Sequence, residues 1–134
     1  MKAYTDLEQS KKLTEILPLE SADMHYSKDF DGSWFVDLAK YTSVKIPKYV
    51  GNVEEHLLPC WSLAALMDLL PNDEHIETNI SRGSWKIDTV EYVPNTWWCE
   101  YEDNKNQTEF NISADNPVDA CVNMILKLKE KNLL

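Results

Sequence analysis

Between Trp85 and Ile112 the apolar residues fall on alternate positions in three short runs: Trp85 and Ile87, then Trp97, Cys99 and Tyr101, then Phe110 and Ile112. Side chains of a strand point alternately to its two faces, so a period of two commits each run to a half-buried strand. Pro94-Asn95 and Asn104-Lys105-Asn106 supply turn residues between them. The period then changes. Val118, Cys121, Val122, Ile125 and Leu128 recur every three or four residues, the stripe of an amphipathic helix. Asn116 is its expected N-cap, Pro117 suits the first turn, and Asp119 suits the positive end of the helix dipole. The reading is strands at about 84–93, 96–103 and 107–112 closed by a helix over 116–131.

Upstream, Thr5-Asp6-Leu7-Glu8 reads as a capping box opening a helix from about 6 to 17, ended by Pro18. Residues 19–41 read as a β-hairpin turning at Asp31-Gly32, with Met24 and Tyr26 before the turn and Trp34, Val36 and Leu38 alternating after it. Residues 42–58 read as a loop with a short strand near Lys48–Val50. Residues 59–70, from Pro59 to Leu70, read as a nearly all-apolar buried helix stopped by Pro71. The polar, acidic run 71–77 reads as a loop. The expectation is therefore one α+β domain over 1–134, in the order αββ–αβββα. Its antiparallel sheet has helices 59–70 and 116–131 packed on one face, and the C-terminal αβββα core spans about 59–131.

Charge narrows the function classes. The chain carries 23 acidic and 13 basic residues, a net charge of −10, and Arg82 is its only arginine. Arginine is the preferred residue for gripping phosphate and reading guanine, so this composition argues against a nucleic-acid partner. No apolar run approaches the roughly 20 residues that span a bilayer, and the N-terminus lacks an apolar signal region. A cytoplasmic protein with no membrane association is expected. Cys60, Cys99 and Cys121 are an odd number without CxxC spacing and read as buried free thiols.

The candidate binding face centres on Trp98. If Trp97, Cys99 and Tyr101 face the core, Trp98 shares the opposite face with Thr96, Glu100 and Glu102; a bulge after Asp88 would bring Tyr92 beside them. Aromatic residues are over-represented at interface hot spots, so Trp98, Tyr92, Glu100 and Glu102 are the predicted binding residues. Asp23 and His25, two apart on a strand, form the one candidate acid/base pair. His56 and Cys60 are four apart, but Pro59 intervenes and no second ligand pair has suitable spacing, so no metal site is predicted. No catalytic motif, phosphate-binding glycine loop or cofactor site is present in the sequence. The leading expectation is a non-enzymatic acidic module that binds another protein or a second copy of itself. The alternatives are a DNA-mimic inhibitor of a basic DNA-binding protein, and a small enzyme using Asp23 and His25.

Three segments carry a resemblance: Tyr4–Leu13 with Leu17–Met24, Pro59–Leu66, and Asp115–Val122. Together they resemble a group of small acidic proteins of gut bacteria and of their phages and mobile elements. The resemblance implies a bacterial cytoplasmic protein and brings no known activity, cofactor or site residue. The order αβββα from Trp61 onward is similar to that of double-stranded RNA-binding domains. Those domains use basic residues at the start of the last helix, where this chain has Asp115, Asn116 and Asp119.

Overall fold

The structure, a computed structural model, describes residues 2–43, 56–86 and 91–134, the side chains of 84–86 and 91–93 excepted. The α+β class is as expected, but the strands form two antiparallel three-stranded sheets instead of one. The chain divides into two compact units, Ala3–Ala65 and Leu66–Leu134 with Met1–Lys2.

In the first unit, helix α1 (Leu7–Thr14) is followed by strands β1 (Met24–Lys28), β2 (Trp34–Asp37) and β3 (Leu57–Cys60), in sheet order β2-β1-β3. The predicted hairpin is β1–β2, and Gly32 takes the left-handed φ of 87° that its turn requires. Met24, Tyr26, Leu58 and Cys60 form one cluster of the core, with Tyr4, Leu7, Trp34 and Val36 packed against it, and Leu13 and Trp61 are fully buried as well. Two local expectations are corrected here. The N-cap of α1 is Asp6 and its capping box closes through Gln9, one residue later than the Thr5/Glu8 pairing. Thr5 is instead fully buried, its hydroxyl accepting from Trp61 N–H at 3.1 Å. Pro59-Cys60, read as the first turn of a helix, belongs to β3, where Pro59 stands opposite His25. Proline is tolerated there because β3 is, among the described residues, an edge strand of its sheet.

Helix α2 (Leu63–Leu69) is therefore shorter than 59–70, and the division between the two units falls within it. The second unit is a meander of β4 (Ile76–Lys86), β5 (Glu91–Asp103) and β6 (Thr108–Ala114), followed by helix α3 (Pro117–Glu130) packed on β5 and β6. The cap of α3 is as predicted: the Asn116 side chain accepts from Asp119 N–H and Pro117 occupies the first turn. The strands differ from expectation. β4 begins at Ile76, inside the run read as a loop, and β5 continues through Pro94-Asn95 without turning. Pairing shifts register between Arg82 and Ser84, where Gly83 adopts φ 77°. Proline is accommodated opposite this irregularity, and its carbonyl accepts from Arg82 Nε at 3.1 Å. The predicted strand near Lys48–Val50 and the predicted bulge after Asp88 lie outside the described residues. Among the described residues no helix is long and apolar enough to cross a membrane.

Candidate functional site

The two faces of the β4–β5–β6 sheet differ in chemistry. On one, register aligns Ile80, Cys99 and Ile112, then Thr78, Tyr101 and Phe110. Cys99 and Tyr101 are fully buried there. This is the side that α3 covers: it packs on β5 and β6, with Lys127 over the Phe110 ring. The neighbouring Cys99 thiol and burial hold the fully buried Cys121 thiol well above the usual thiol range, so it is an inert interior thiol.

The opposite face is a three-by-three grid. Trp98 sits between Ser81 and Ser113, Glu100 between Asn79 and Asn111, and Glu102 between Glu77 and Glu109. The other eight residues of the grid are exposed, and Trp98 is partly buried. With strands about 4.8 Å apart and alternate residues about 6.8 Å apart along each, the grid covers roughly 10 by 14 Å. Asn79 Nδ2 donates to Glu77 Oε1 at 3.1 Å, an interaction within the face. The Trp98 Nε1–H is enclosed and has no acceptor among the described residues.

Charge is segregated between the two faces. Among the described residues, the grid face carries four glutamates and no lysine or arginine. Three cations of this unit lie elsewhere: Arg82 over the Trp97 ring on the core-facing side, and Lys127 of α3 and its C-cap Lys131 over Phe110. Directly opposed like charges on neighbouring strands are destabilising. The row Glu77–Glu102–Glu109 is therefore an arrangement that sheet stability alone would not select.

Trp98, Glu100 and Glu102 thus share one face, as β5 alternation requires. Tyr92 has its backbone in β5, paired with Trp85, and its side chain lies outside the described residues. Sequence reading missed Glu77 and Glu109. The alternation Ile76, Thr78, Ile80 against Glu77, Asn79, Ser81 was available as a strand signal. The pairing that aligns three glutamates was not, because register is non-local.

Asp23 and His25 have separate partners. Asp23 accepts from Ser62 N–H at 2.9 Å and from the Ser62 hydroxyl. Ser62 in turn caps α2, its Oγ accepting from Ala65 N–H at 3.2 Å. His25 is buried and donates Nδ1–H to the Ala39 carbonyl at 2.6 Å. Neither side chain hydrogen-bonds the other, and both tie structural elements together. Cys60 is held by contacts with Thr5, and burial pushes its thiol up to about 11, so it is protonated at neutral pH. Among the described residues no three His, Cys, Asp or Glu side chains are placed to hold a metal ion.

Comparison with family models, with curated proteins and with solved structures gives no match for this chain.

Proposed function

We propose that this protein is a non-enzymatic, acidic protein-interaction module that binds a basic protein partner through the grid face of β4–β5–β6. The observation that carries this reading is the segregation of charge: four exposed glutamates share one sheet face with a partly buried tryptophan, and Arg82, Lys127 and Lys131 lie off that face. A lysine- or arginine-bearing surface meets complementary potential there, which steers encounter and fixes register. Trp98 supplies the aromatic contact that commonly concentrates binding energy, and its ring can also accept a cation.

The test is affinity capture from a lysate of the native host with wild type, Trp98→Ala, Glu102→Lys and the turn control Lys105→Glu. Circular dichroism verifies that each variant is folded. The reading predicts a basic partner retained by wild type and by Lys105→Glu, and lost from both face variants. A partner retained equally by Trp98→Ala and Glu102→Lys would place the contact elsewhere and overturn it.

The aligned Glu77–Glu102–Glu109 row also favours a second reading, in which the carboxylates imitate a phosphate backbone and occupy a DNA-binding protein. Duplex DNA separates the two. It displaces the partner if the face is a DNA mimic and leaves the complex intact if the partner is a basic protein of another kind.

A further inference from the structure

The Ala3–Ala65 unit carries a second surface, of opposite character. Phe30 is 108% exposed, Leu38 81% and Phe35 49%, all on or beside the β1–β2 hairpin. Among the described residues β2 is an edge of its sheet, and its sequence Trp-Phe-Val-Asp contains no proline or lysine of the kind that blunts edge pairing. We propose that two copies of this chain associate here, β2 against β2, joining two three-stranded sheets into one of six strands around a two-fold axis.

Three observations select a second copy as the occupant. The first is register. Trp34 and Val36 face the core, whereas Phe35 and Asp37 are exposed. An antiparallel two-fold pair keeps core faces aligned only when residues of the same orientation stand opposite each other. The register that places Phe35 opposite Phe35 of the other copy does this. It also sets Trp34 against Val36 and Asp37 against Ser33, opposes no like charges, and makes an aromatic cross-strand pair. Shifting by one allowed step would set Phe35 against Asp37 in one direction and against Ser33 in the other, and either loses the aromatic Phe35 pair.

The second is area. Side chains of this size present on the order of 150–200 Å² each, so the three exposures offer roughly 400 Å² per copy and ~800 Å² per pair. A standard interface of about 1,600 Å² is about 60% apolar, so these three residues supply most of what a stable pair needs. The same register brings the hairpin tip, with Phe30, alongside the segment that follows Leu38 in the other copy.

The third is charge. Residues 28–40 hold Lys28 and Lys40 against Asp29, Asp31 and Asp37, a net of −1 in a chain of −10. Two copies of a strongly acidic protein repel least where the local charge is near zero.

The test is sedimentation velocity of the full chain across a dilution series, with Phe35→Lys as the variant. Phe35 is half exposed, so a wild-type circular dichroism spectrum with a cooperative melt confirms that the variant folds; its melting temperature need not match, because association itself stabilises wild type. The expected result is a concentration-dependent dimer in wild type and self-association weakened roughly 30-fold or more in the variant. A second measurement fixes the register. Cys60, Cys99 and Cys121 are buried, so Phe35→Cys provides the accessible thiol. Mild oxidation with oxidised glutathione should join two copies of Phe35→Cys. It should not join two copies of Asp37→Cys, whose α-carbons lie about 13 Å apart along the paired strands, beyond disulfide reach. A monomer at every concentration overturns the proposal, as does a dimer indifferent to Phe35→Lys. Cross-linking of the Asp37→Cys variant but not of the Phe35→Cys variant overturns the register.

Discussion

Thr5 shows how one side chain can decide a local structure that its neighbours leave open. The sequence Thr5-Asp6-Leu7-Glu8-Gln9 contains two overlapping capping boxes, Thr5 with Glu8 and Asp6 with Gln9. The choice is made from outside the helix. Trp61 N–H donates to Thr5 Oγ1 at 3.1 Å, the Ser10 hydroxyl shares a 2.8 Å bond with it, and Thr5 N–H donates to the Trp61 carbonyl at 3.0 Å. Tyr26 completes the cluster, its hydroxyl donating to the Thr5 carbonyl at 2.7 Å. With Thr5 committed to β3 and its extension, the cap passes to Asp6. Thr5→Val keeps the shape and deletes the acceptor, leaving Trp61 N–H without its partner and Ser10 short of one. A buried polar group stranded in this way costs about 1–3 kcal/mol. The urea midpoint of Thr5→Val is therefore expected to fall by that equivalent with an unchanged slope; a midpoint equal to wild type would show that the cluster contributes nothing net.

Elements whose information is local were legible, and those that depend on a distant partner were not. Helix α3 needed only Asn116, Pro117, Asp119 and a five-residue apolar stripe, all within one segment. The grid face was half legible: period two in β5 places Glu100 and Glu102 beside Trp98, but only pairing with β4 and β6 adds Glu77 and Glu109. Pro59 and Pro94 misled for one reason. Each reads locally as a helix start or a turn, and each sits in a strand at a place, an edge or a bulge, that only the sheet defines. Asn104-Lys105-Asn106 marks the β5–β6 turn in the sequence, but the residue that organises it is Asp103, just before that run. Asp103 accepts from Asn106 Nδ2 at 2.8 Å and from the backbone N–H groups of Lys105 and Asn106 at 3.0 and 3.1 Å. The Asn106 side-chain bond, followed by that from the Asn106 backbone, holds the Asp103 carboxyl below the usual carboxylate range. A depressed folded-state pKa contributes stability that is present above the unfolded value of about 3.9 and is lost as pH falls through the lower folded value. Asp103→Asn should accordingly melt below wild type at neutral pH, and the gap should close as pH drops below about 4. A gap that stays constant over that range, read by circular dichroism melts, would mean that the Asp103 charge does not hold the turn.

For the whole molecule, a net charge of −10 is a standing cost to compactness that solubility alone does not require to be concentrated. The Glu77–Glu102–Glu109 row concentrates it, setting like charges side by side on three strands whose other outward residues in the grid are neutral apart from Glu100. If the row is retained for a partner, stability and binding must pull in opposite directions at its centre. Glu102→Lys replaces two like-charge neighbours by two opposite-charge ones, an exchange expected to stabilise the sheet by about 0.5–1 kcal/mol. The same change puts a cation in the middle of the surface proposed to receive a basic partner, so binding should be lost. Salt provides an independent reading. Screening shortens from about 30 Å at 0.01 M to about 8 Å at 0.15 M, so the wild-type melting temperature should rise over that range more than that of Glu102→Lys. Melting curves at the two ionic strengths, taken beside a binding measurement, resolve the matter. A variant that is more stable, less salt-responsive and unable to bind identifies the row as stability given up for recognition. A variant that is less stable than wild type shows that the row is not repulsive, and its arrangement is then no sign of a partner.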